Sequence, residues 1–236
     1  LSNAKLMSRV DRKFLMPKAR LNDLFARLNP MCTVLKINNS VSSTYKNTYY
    51  DTAKLDFYQQ HHNGKLNRLK IRTRCYADQQ QTYLETKLKT NKGRTVKKRI
   101  PIQTYSNDQL QALLDRSNIE FKDDVSASQN CNYERVSFAR EDCAERLTVD
   151  TDLEFIDVLT QQKVSLPEIV IVELKQDKYS NSSAFSRIIK SLNLHPTKFS
   201  KYCIGTALLK GREIKSNRFK STLLQLQKIA EENLHA

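Results

Sequence analysis

Polar and apolar residues alternate most regularly between positions 65 and 99. Three runs in this stretch place a cation at nearly every second position: Lys65 to Arg74, Tyr83 to Lys89, and Arg94 to Ile100. Successive side chains of a β-strand point to opposite faces, so each run predicts a strand with one basic and one apolar face. The basic faces are predicted to carry Arg68, Lys70, Arg72, Arg74, Lys87, Lys89, Lys97 and Arg99, and the apolar faces Leu69, Ile71, Leu84, Leu88 and Val96. Turn-forming residues at 78–80 and 91–93 favour antiparallel hairpins.

The rest of the chain shows further strand and helix patterns joined by short polar links. Alternation predicts strands at 10–16, 33–37, 44–50, 131–140, 145–150, 153–159 and 169–175. Helical spacing predicts helices at 17–28, 54–62, 107–116, 180–192, 196–209 and 216–234. No regular strand–helix–strand alternation occurs, so the fold class is α+β, an antiparallel sheet or barrel with flanking helices. The C-terminal helix at 216–234 is free to pack on this sheet or on another subunit.

The net charge of the chain limits the classes of binding partner that we expect. The formal net charge is +15 over 236 residues, which indicates an anionic partner such as a nucleotide, a polyanion, a nucleic acid or an acidic membrane surface. The chain has no 18-residue apolar run and no apolar signal-peptide core near its start, so we expect a cytoplasmic protein. Five cysteines, Cys32, Cys75, Cys131, Cys143 and Cys203, form no C-x-x-C or zinc pattern and are expected to be reduced thiols.

Side chains must supply any phosphate site. The chain has only four glycines and no G-x-x-x-x-G-K-[ST] loop, so a backbone phosphate cradle of that kind is excluded. Several basic residues fall on single strand faces that would converge if the sheet closed: Arg72, Arg74, Lys87, Lys97, Arg99, Arg135, Arg146 and Lys175. Converging cations repel one another unless a polyanion lies among them. The alternative is that these faces are simply solvated.

Carboxylates are interleaved with these cations. Glu85 and Lys87 share a strand face, as do Glu173 and Lys175. Because Glu173 lies near the end of a strongly apolar strand, it is either a partly buried ligand for a hard divalent cation beside phosphate or one half of an ion pair. Asp150 and Asp152 could act in the same way or cap a turn.

A second phosphate-binding candidate is the segment Lys198-Phe-Ser200-Lys201-Tyr202. Pro196 is a typical first residue of a helix, which would place Lys198, Ser200 and Lys201 in the first turn. Free N–H groups at a helix start attract phosphate. A solvated basic helix start explains the same residues.

These segments together resemble the VTC domain, the catalytic module of the vacuolar transporter chaperone polyphosphate polymerases. That family belongs to the triphosphate tunnel metalloenzymes, with CYTH-type triphosphatases as relatives. The resemblance covers about residues 9 to 210 and rests on Arg9-Val-Asp11-Arg-Lys13-Phe14, Ile71-Arg72-Thr-Arg74, Glu85-Thr-Lys87, Thr95-Val-Lys97-Lys-Arg99, Tyr133-Glu-Arg135, Arg146 to Asp150, Glu173-Leu-Lys175 and Lys198-Phe-Ser200-Lys201-Tyr202. It implies a closed antiparallel β-barrel, one tunnel domain over residues 1–236, with helices around a charged tunnel.

The resemblance also implies roles for single residues. Arg72, Arg74, Lys87, Lys97 and Arg135 match the catalytic positions that grip a nucleotide triphosphate or a growing chain. Lys13 matches the first-strand lysine, Glu173 the ligand of Mn²⁺ or Mg²⁺, and Lys198, Ser200 and Lys201 the phosphate site at a helix start. Arg99, Arg146 and Lys175 are predicted to bind phosphate from their strand phases.

The resulting prediction is a polyphosphate polymerase that transfers the γ-phosphate of ATP to inorganic polyphosphate. The first strand reads Val10-Asp11-Arg12-Lys13, whereas the wider superfamily favours Glu-x-Glu-x-Lys. The loss of these carboxylates favours transfer over hydrolysis. Two alternatives stay open, a triphosphatase and a non-catalytic module that binds polyphosphate or inositol phosphates. Nucleic acid is not expected because acids interleave with the basic residues and no RRM, OB or helix-turn-helix signature is visible. A membrane-protein partner is compatible with the resemblance.

Overall fold

The computed structural model describes residues 10–92, 95–116, 119, 123–140 and 145–234. Four residues that enter the sequence predictions, Arg9, Gly93, Arg94 and Cys143, lie outside these ranges. Within them, the strands are β1 (Val10–Pro17), β2 (Thr33–Val34), β3 (Ser42–Asp51), β4 (Arg68–Tyr76), β5 (Gln81–Lys89), β6 (Thr95–Ile102), β7 (Ser126–Ala139), β8 (Arg146–Asp157), β9 (Lys163–Leu166) and β10 (Ile169–Gln176). The α-helices are α1 (Leu21–Leu28), α2 (Asp56–His62), α3 (Asn107–Asp115), α4 (Ala184–Ser191), α5 (Lys201–Lys210) and α6 (Lys220–Leu234).

All described strands belong to one antiparallel sheet. Its order is β1-β10-β8-β7-β3-β4-β5-β6, with β2 paired to β7 and β9 paired to β8. The predicted α+β class, an antiparallel sheet with flanking helices, is therefore confirmed. The predicted closed barrel is not confirmed, because no hydrogen-bonded ladder joins β1 to β6 among the described strands. The free edge of β1 instead meets the segment before α5, where the Thr197 N–H donates to the Lys13 carbonyl over 2.7 Å.

Two apolar clusters hold helices against the sheet. Ile71 and Leu84, on the predicted apolar faces of β4 and β5, are fully buried in the cluster that also contains Leu113 of α3. Phe14 of β1 lies in the other cluster with Phe185 of α4. Period-two alternation on the strands and helical spacing on α3 and α4 bring these faces together. The charged faces of the strands are left on the opposite side of the sheet.

Several boundaries differ from the predictions. The two strands predicted at 145–150 and 153–159 are one strand, β8, which continues through Asp152 in a left-handed conformation with φ 53°. The strand β9 was not predicted. The helix predicted from Pro196 begins at Lys201, because residues 196–199 run along the edge of β1 and Ser200 forms the N-cap.

The C-terminal helix packs on the sheet of its own chain. Leu226 and Ile229 of α6 are buried, and the Thr222 hydroxyl donates to the Lys198 carbonyl over 3.1 Å. This resolves the alternative left open by the sequence in favour of an intrachain contact. No helix in the described part of the chain has both the length and the apolar character needed to cross a membrane.

Candidate functional site

A charged cavity of about 210 Å³ lies on the inner side of the sheet, against the start of α5. Of the described residues that line it, nine are Lys or Arg and three are acids. The lining consists of Asp11, Lys13, Tyr49, Lys70, Arg72, Arg74, Glu85, Lys87, Lys97, Tyr133, Arg135, Glu173, Lys175, Phe199, Ser200 and Lys201. Ten of the thirteen residues predicted for the site line this cavity.

Strand register explains how the cations come together. Lys70 lies opposite Lys87 in the β4–β5 ladder, and Lys87 lies opposite Lys97 in the β5–β6 ladder. Three lysines therefore stand side by side across three strands. Like charges placed directly opposite one another destabilise a sheet. An anion bound over this row would remove the repulsion.

Glu85 fixes the central cations of β4 and β6. Its Oε2 accepts from Arg72 Nε and Nη2 over 2.8 and 2.6 Å, and its Oε1 lies 2.8 Å from Lys97 Nζ. Burial alone would raise the pKa of Glu85, but Arg72, Arg74 and Lys97 outweigh it and lower the pKa to about 2. The carboxylate is therefore ionised at neutral pH and holds two cations in place.

Asp150, on β8, likewise fixes two cations of the cavity. Arg135 binds it with both ends of its guanidinium, through Nε to Oδ1 over 2.6 Å and Nη2 to Oδ2 over 2.7 Å. Lys201, the first residue of α5, binds the same carboxylate. Burial opposes ionisation, but these two cations hold the pKa of Asp150 well below its usual range. Asp150 thus anchors cations and does not cap a turn, while Asp152 pairs with Lys18 at the surface over 2.5 Å.

Aromatic rings support the same cations. Lys201 Nζ lies 4.3 Å from the centre of the Tyr133 ring, and Arg135 lies 4.9 Å from that of Tyr45. The rings of Tyr45 and Tyr133 stack with centroids 5.1 Å apart. The faces of aromatic rings attract cations, so they restrict these side chains without neutralising their charge.

Glu173 is the predicted metal ligand. Its Oε2 accepts from Lys175 Nζ over 2.8 Å, and Lys13 and Lys175 keep its pKa well below the usual range despite burial. Among the described residues no group of three or more His, Cys, Asp or Glu side chains could hold a metal ion. Mg²⁺ often uses one or two carboxylates and takes its other ligands from water and substrate phosphates. An ionised Glu173 in a phosphate-sized cavity fits that mode of binding.

Three lysines of the cavity have no carboxylate among the described ion pairs: Lys13, Lys70 and Lys87. Lys13 Nζ donates to the Phe199 carbonyl over 2.8 Å, and Lys70 Nζ to Ser200 Oγ over 2.9 Å. The Lys87 side chain reaches solvent, but partial desolvation and repulsion from Lys13 and Lys70 lower its pKa to about 8. Glu173 partly compensates the charge of Lys13, so Lys70 and Lys87 mark the part of the cavity most favourable to an anion.

Three predicted phosphate ligands lie elsewhere. Arg99 shares the inner face of β6 but is exposed, with its guanidinium 4.7 Å from the centre of the Tyr83 ring. Arg146 is exposed at the first position of β8. Lys198 is exposed and precedes α5 by three residues, since this helix begins at Lys201 and not at Pro196. In place of Lys198, the ammonium group beside Ser200 belongs to Lys70.

Some lining residues were not among the predicted ligands. Lys70 lies on the predicted basic face two positions before Arg72, so strand alternation alone could have selected it. Tyr133 also shares a face with Arg135 by the same rule. Phe199 carried no signal of its own, since its carbonyl contacts Lys13 only through the path of the segment before α5.

The sequence profile of the VTC domain matches residues 8–210. The chain belongs to the VTC domain family. Among solved structures, this VTC domain is similar to the Hippeastrum adenylyl cyclase-like protein HpAC1, for which a dominant triphosphatase activity is described. That match has a TM-score of 0.56 and 15% identity, over 84% of this chain and 95% of the other. An adenylate cyclase-like protein from Vibrio parahaemolyticus matches with a TM-score of 0.49 and 13% identity, over 84% and 98% of the two chains.

The likeness to HpAC1 shows that the two proteins share a fold. A search among proteins of curated function finds no match. Family membership indicates an activity on triphosphate compounds.

Proposed function

We propose that this VTC domain is a polyphosphate polymerase that uses ATP, with Mn²⁺ or Mg²⁺ as the cofactor. In the reaction, an oxygen of the terminal phosphate of a polyphosphate chain attacks the γ-phosphorus of ATP. The bond between that phosphorus and the β–γ bridging oxygen breaks, and ADP leaves. The chain grows by one phosphate.

The ion pairs of three carboxylates support transfer over hydrolysis. Glu85, Asp150 and Glu173 are each bound to lysine or arginine, and each has a pKa far below neutrality. Such carboxylates are weak bases, and activation of water calls for a base with a pKa near the working pH. A terminal phosphate of polyphosphate is already anionic and needs no such base. The cavity therefore supports phosphate as the attacking group.

Fixed cations would supply the catalytic effect. Arg72 and Lys97 are held by Glu85, and Arg135 and Lys201 by Asp150, so they need no rearrangement when charge develops on the γ-oxygens. Preorganised donors of this kind commonly account for most of the rate of phosphoryl transfer. Glu173 would hold the divalent ion, which supplies further neutralisation of phosphate charge when bound.

Product analysis tests this proposal. The protein is incubated with ATP, Mn²⁺ and a short polyphosphate primer, and the products are separated on a gel. We expect chains longer than the primer together with ADP. Phosphate release without chain growth would refute polymerisation and favour a triphosphatase, the second candidate because of the activity described for HpAC1. Thermal stabilisation by polyphosphate without ATP consumption would instead favour a binding module.

Two variants and a matched control sharpen the test. Arg72→Ala and Glu173→Ala should abolish chain growth while the protein stays folded. Lys98→Ala changes an exposed lysine on the opposite face of β6, beside Lys97 in sequence, and should leave the rate unchanged. A loss for Lys98→Ala equal to that for Arg72→Ala, which removes the same charge, would mean that overall charge, and not the cavity, determines activity.

A further inference from the structure

Lys70 makes a contact that no other lysine of the cavity makes. Its side chain extends from β4 to the start of α5, where Nζ donates to Ser200 Oγ over 2.9 Å. No carboxylate forms an ion pair with Lys70 among the described residues, while Arg72, two positions along the strand, is held by Glu85. Lys70 therefore brings a positive charge to the helix start without a negative partner.

The hydrogen bonds of Ser200 are nearly complete. Ser200 is the N-cap of α5, and its Oγ also accepts from the Cys203 N–H over 3.2 Å. A hydroxyl oxygen accepts two hydrogen bonds and donates one. With Lys70 and Cys203 as donors, both acceptor positions are filled. The hydroxyl proton has no acceptor among the described residues, and Ser200 lines the cavity.

We propose that Lys70 is a positioning residue of the anion site, which orients Ser200 so that its hydroxyl proton is donated into the cavity. Without the Lys70 ammonium, the hydroxyl would be free to rotate, and a bound anion would lose a fixed donor. The group that accepts this hydrogen bond from the Ser200 hydroxyl is an oxygen of a phosphate chain. This identification rests on the proposed function.

If Lys70 restricts rotation of the Ser200 hydroxyl, the effects of substituting Lys70 and Ser200 on anion affinity should be coupled. Tripolyphosphate is the probe, and its affinity is measured by isothermal titration calorimetry for the wild type, Lys70→Met, Ser200→Ala and the double variant. Lys70→Met should weaken binding about tenfold in the wild-type background, as expected for a hydrogen bond that involves a charged group. In the Ser200→Ala background the same change should cost less than about threefold, because the group that Lys70 orients is gone.

Lys87→Met provides the matched control. Lys87 lies opposite Lys70 across the β4–β5 ladder and likewise forms no ion pair with a carboxylate in the described part of the chain, but it has no described contact with Ser200. Its removal should weaken binding by the same factor with and without the Ser200 hydroxyl. Equal losses for Lys70→Met in both backgrounds, or no loss in the wild type, would overturn the proposal and leave Lys70 as a simple charge.

A second variant makes the test independent of how well Lys70→Met folds. Lys70→Gln removes the charge but keeps an N–H donor, so it should retain more affinity than Lys70→Met. Equal affinities of the Gln and Met variants would count against positioning. Failure of the proposed function is a separate result: a wild type that binds tripolyphosphate but does not extend chains refutes polymerisation alone. A wild type that does not bind tripolyphosphate refutes both.

Discussion

Replacement of Asp150 by asparagine should be among the most damaging single changes to this fold. The Asp150 side chain is 1% exposed, and it neutralises Arg135 and Lys201, each with a side chain 12% exposed. Asparagine keeps the size and one acceptor oxygen but leaves two enclosed cations without a counter-charge. Removal of one partner from a buried ion pair costs about 3–5 kcal/mol. At about 2–4 °C per kcal/mol for a chain of this length, Tm should fall by about 10 °C.

Thermal denaturation of Asp150→Asn checks this value. Asp152→Asn is the matched control, since it lies two residues along the same strand and loses the same kind of charge. Asp152 and Lys18 form a surface pair with side chains 48% and 39% exposed, and such pairs contribute at most about 1 kcal/mol. Asparagine also tolerates the left-handed backbone at this position. A Tm for Asp150→Asn within 1 °C of the wild type, or an equal loss for Asp152→Asn, would refute the reasoning.

Three further predictions concern pH and packing. First, the affinity for tripolyphosphate should be highest below the pKa of Lys87, about 8, and should fall as pH rises through that value, because a bound anion favours the charged amine. Titrations from pH 6.5 to 9.5 check it, and Lys87→Met should flatten the profile. Second, the lowered pKa of Glu85 stabilises the fold above its unfolded value of 4.5, and this contribution should be lost as pH falls toward about 2. Urea denaturation at pH 5 and pH 3 should show a smaller difference for Glu85→Gln than for the wild type. Third, Gly205→Ala should destabilise α5, because the added Cβ would lie 2.5 Å from Phe155 Cδ1. Guanidinium denaturation of both variants checks it. A Cβ at Gly211 would have no atom within 4 Å, but this residue has φ 53°, so Gly211→Ala reports backbone strain alone and Gly205→Ala reports steric overlap.

Strand alternation made the central part of the site predictable. A shift of one residue would move Ile71 into the cavity and Arg72 into the apolar layer, so the register of faces is strongly determined. The same rule correctly separated Leu84 from Glu85 on β5. These assignments depend only on residues close together in sequence, and they hold whether or not the sheet closes.

Pairings between distant strands were not predictable. Arg135 meets Asp150 only because β7 and β8 have a register shift between Asn132 and Glu134, which no local pattern reveals. The start of α5 was misplaced for a related reason. Pro196 is a good local signal for a helix start, but the edge of β1 takes the Thr197 N–H as a partner, and tertiary context outweighs local propensity.

The cations of the cavity fall into two classes, those held by a carboxylate and those without one. The first class mainly affects the stability of the fold, and the second mainly affects the binding of an anion. Cations paired with Glu85 or Asp150 stabilise the empty fold, so the loss of either carboxylate should mainly reduce stability. Lys70 and Lys87 have no such partner among the described ion pairs and are repelled by each other and by Lys13, so this repulsion opposes folding until an anion binds. Removal of Lys70 or Lys87 should weaken the binding of polyphosphate without a loss of thermal stability. When lysines without carboxylate partners lie close together, the free energy gained by neutralising their charge is released only when an anion binds. This is the physical reason to place the phosphate chain beside these lysines.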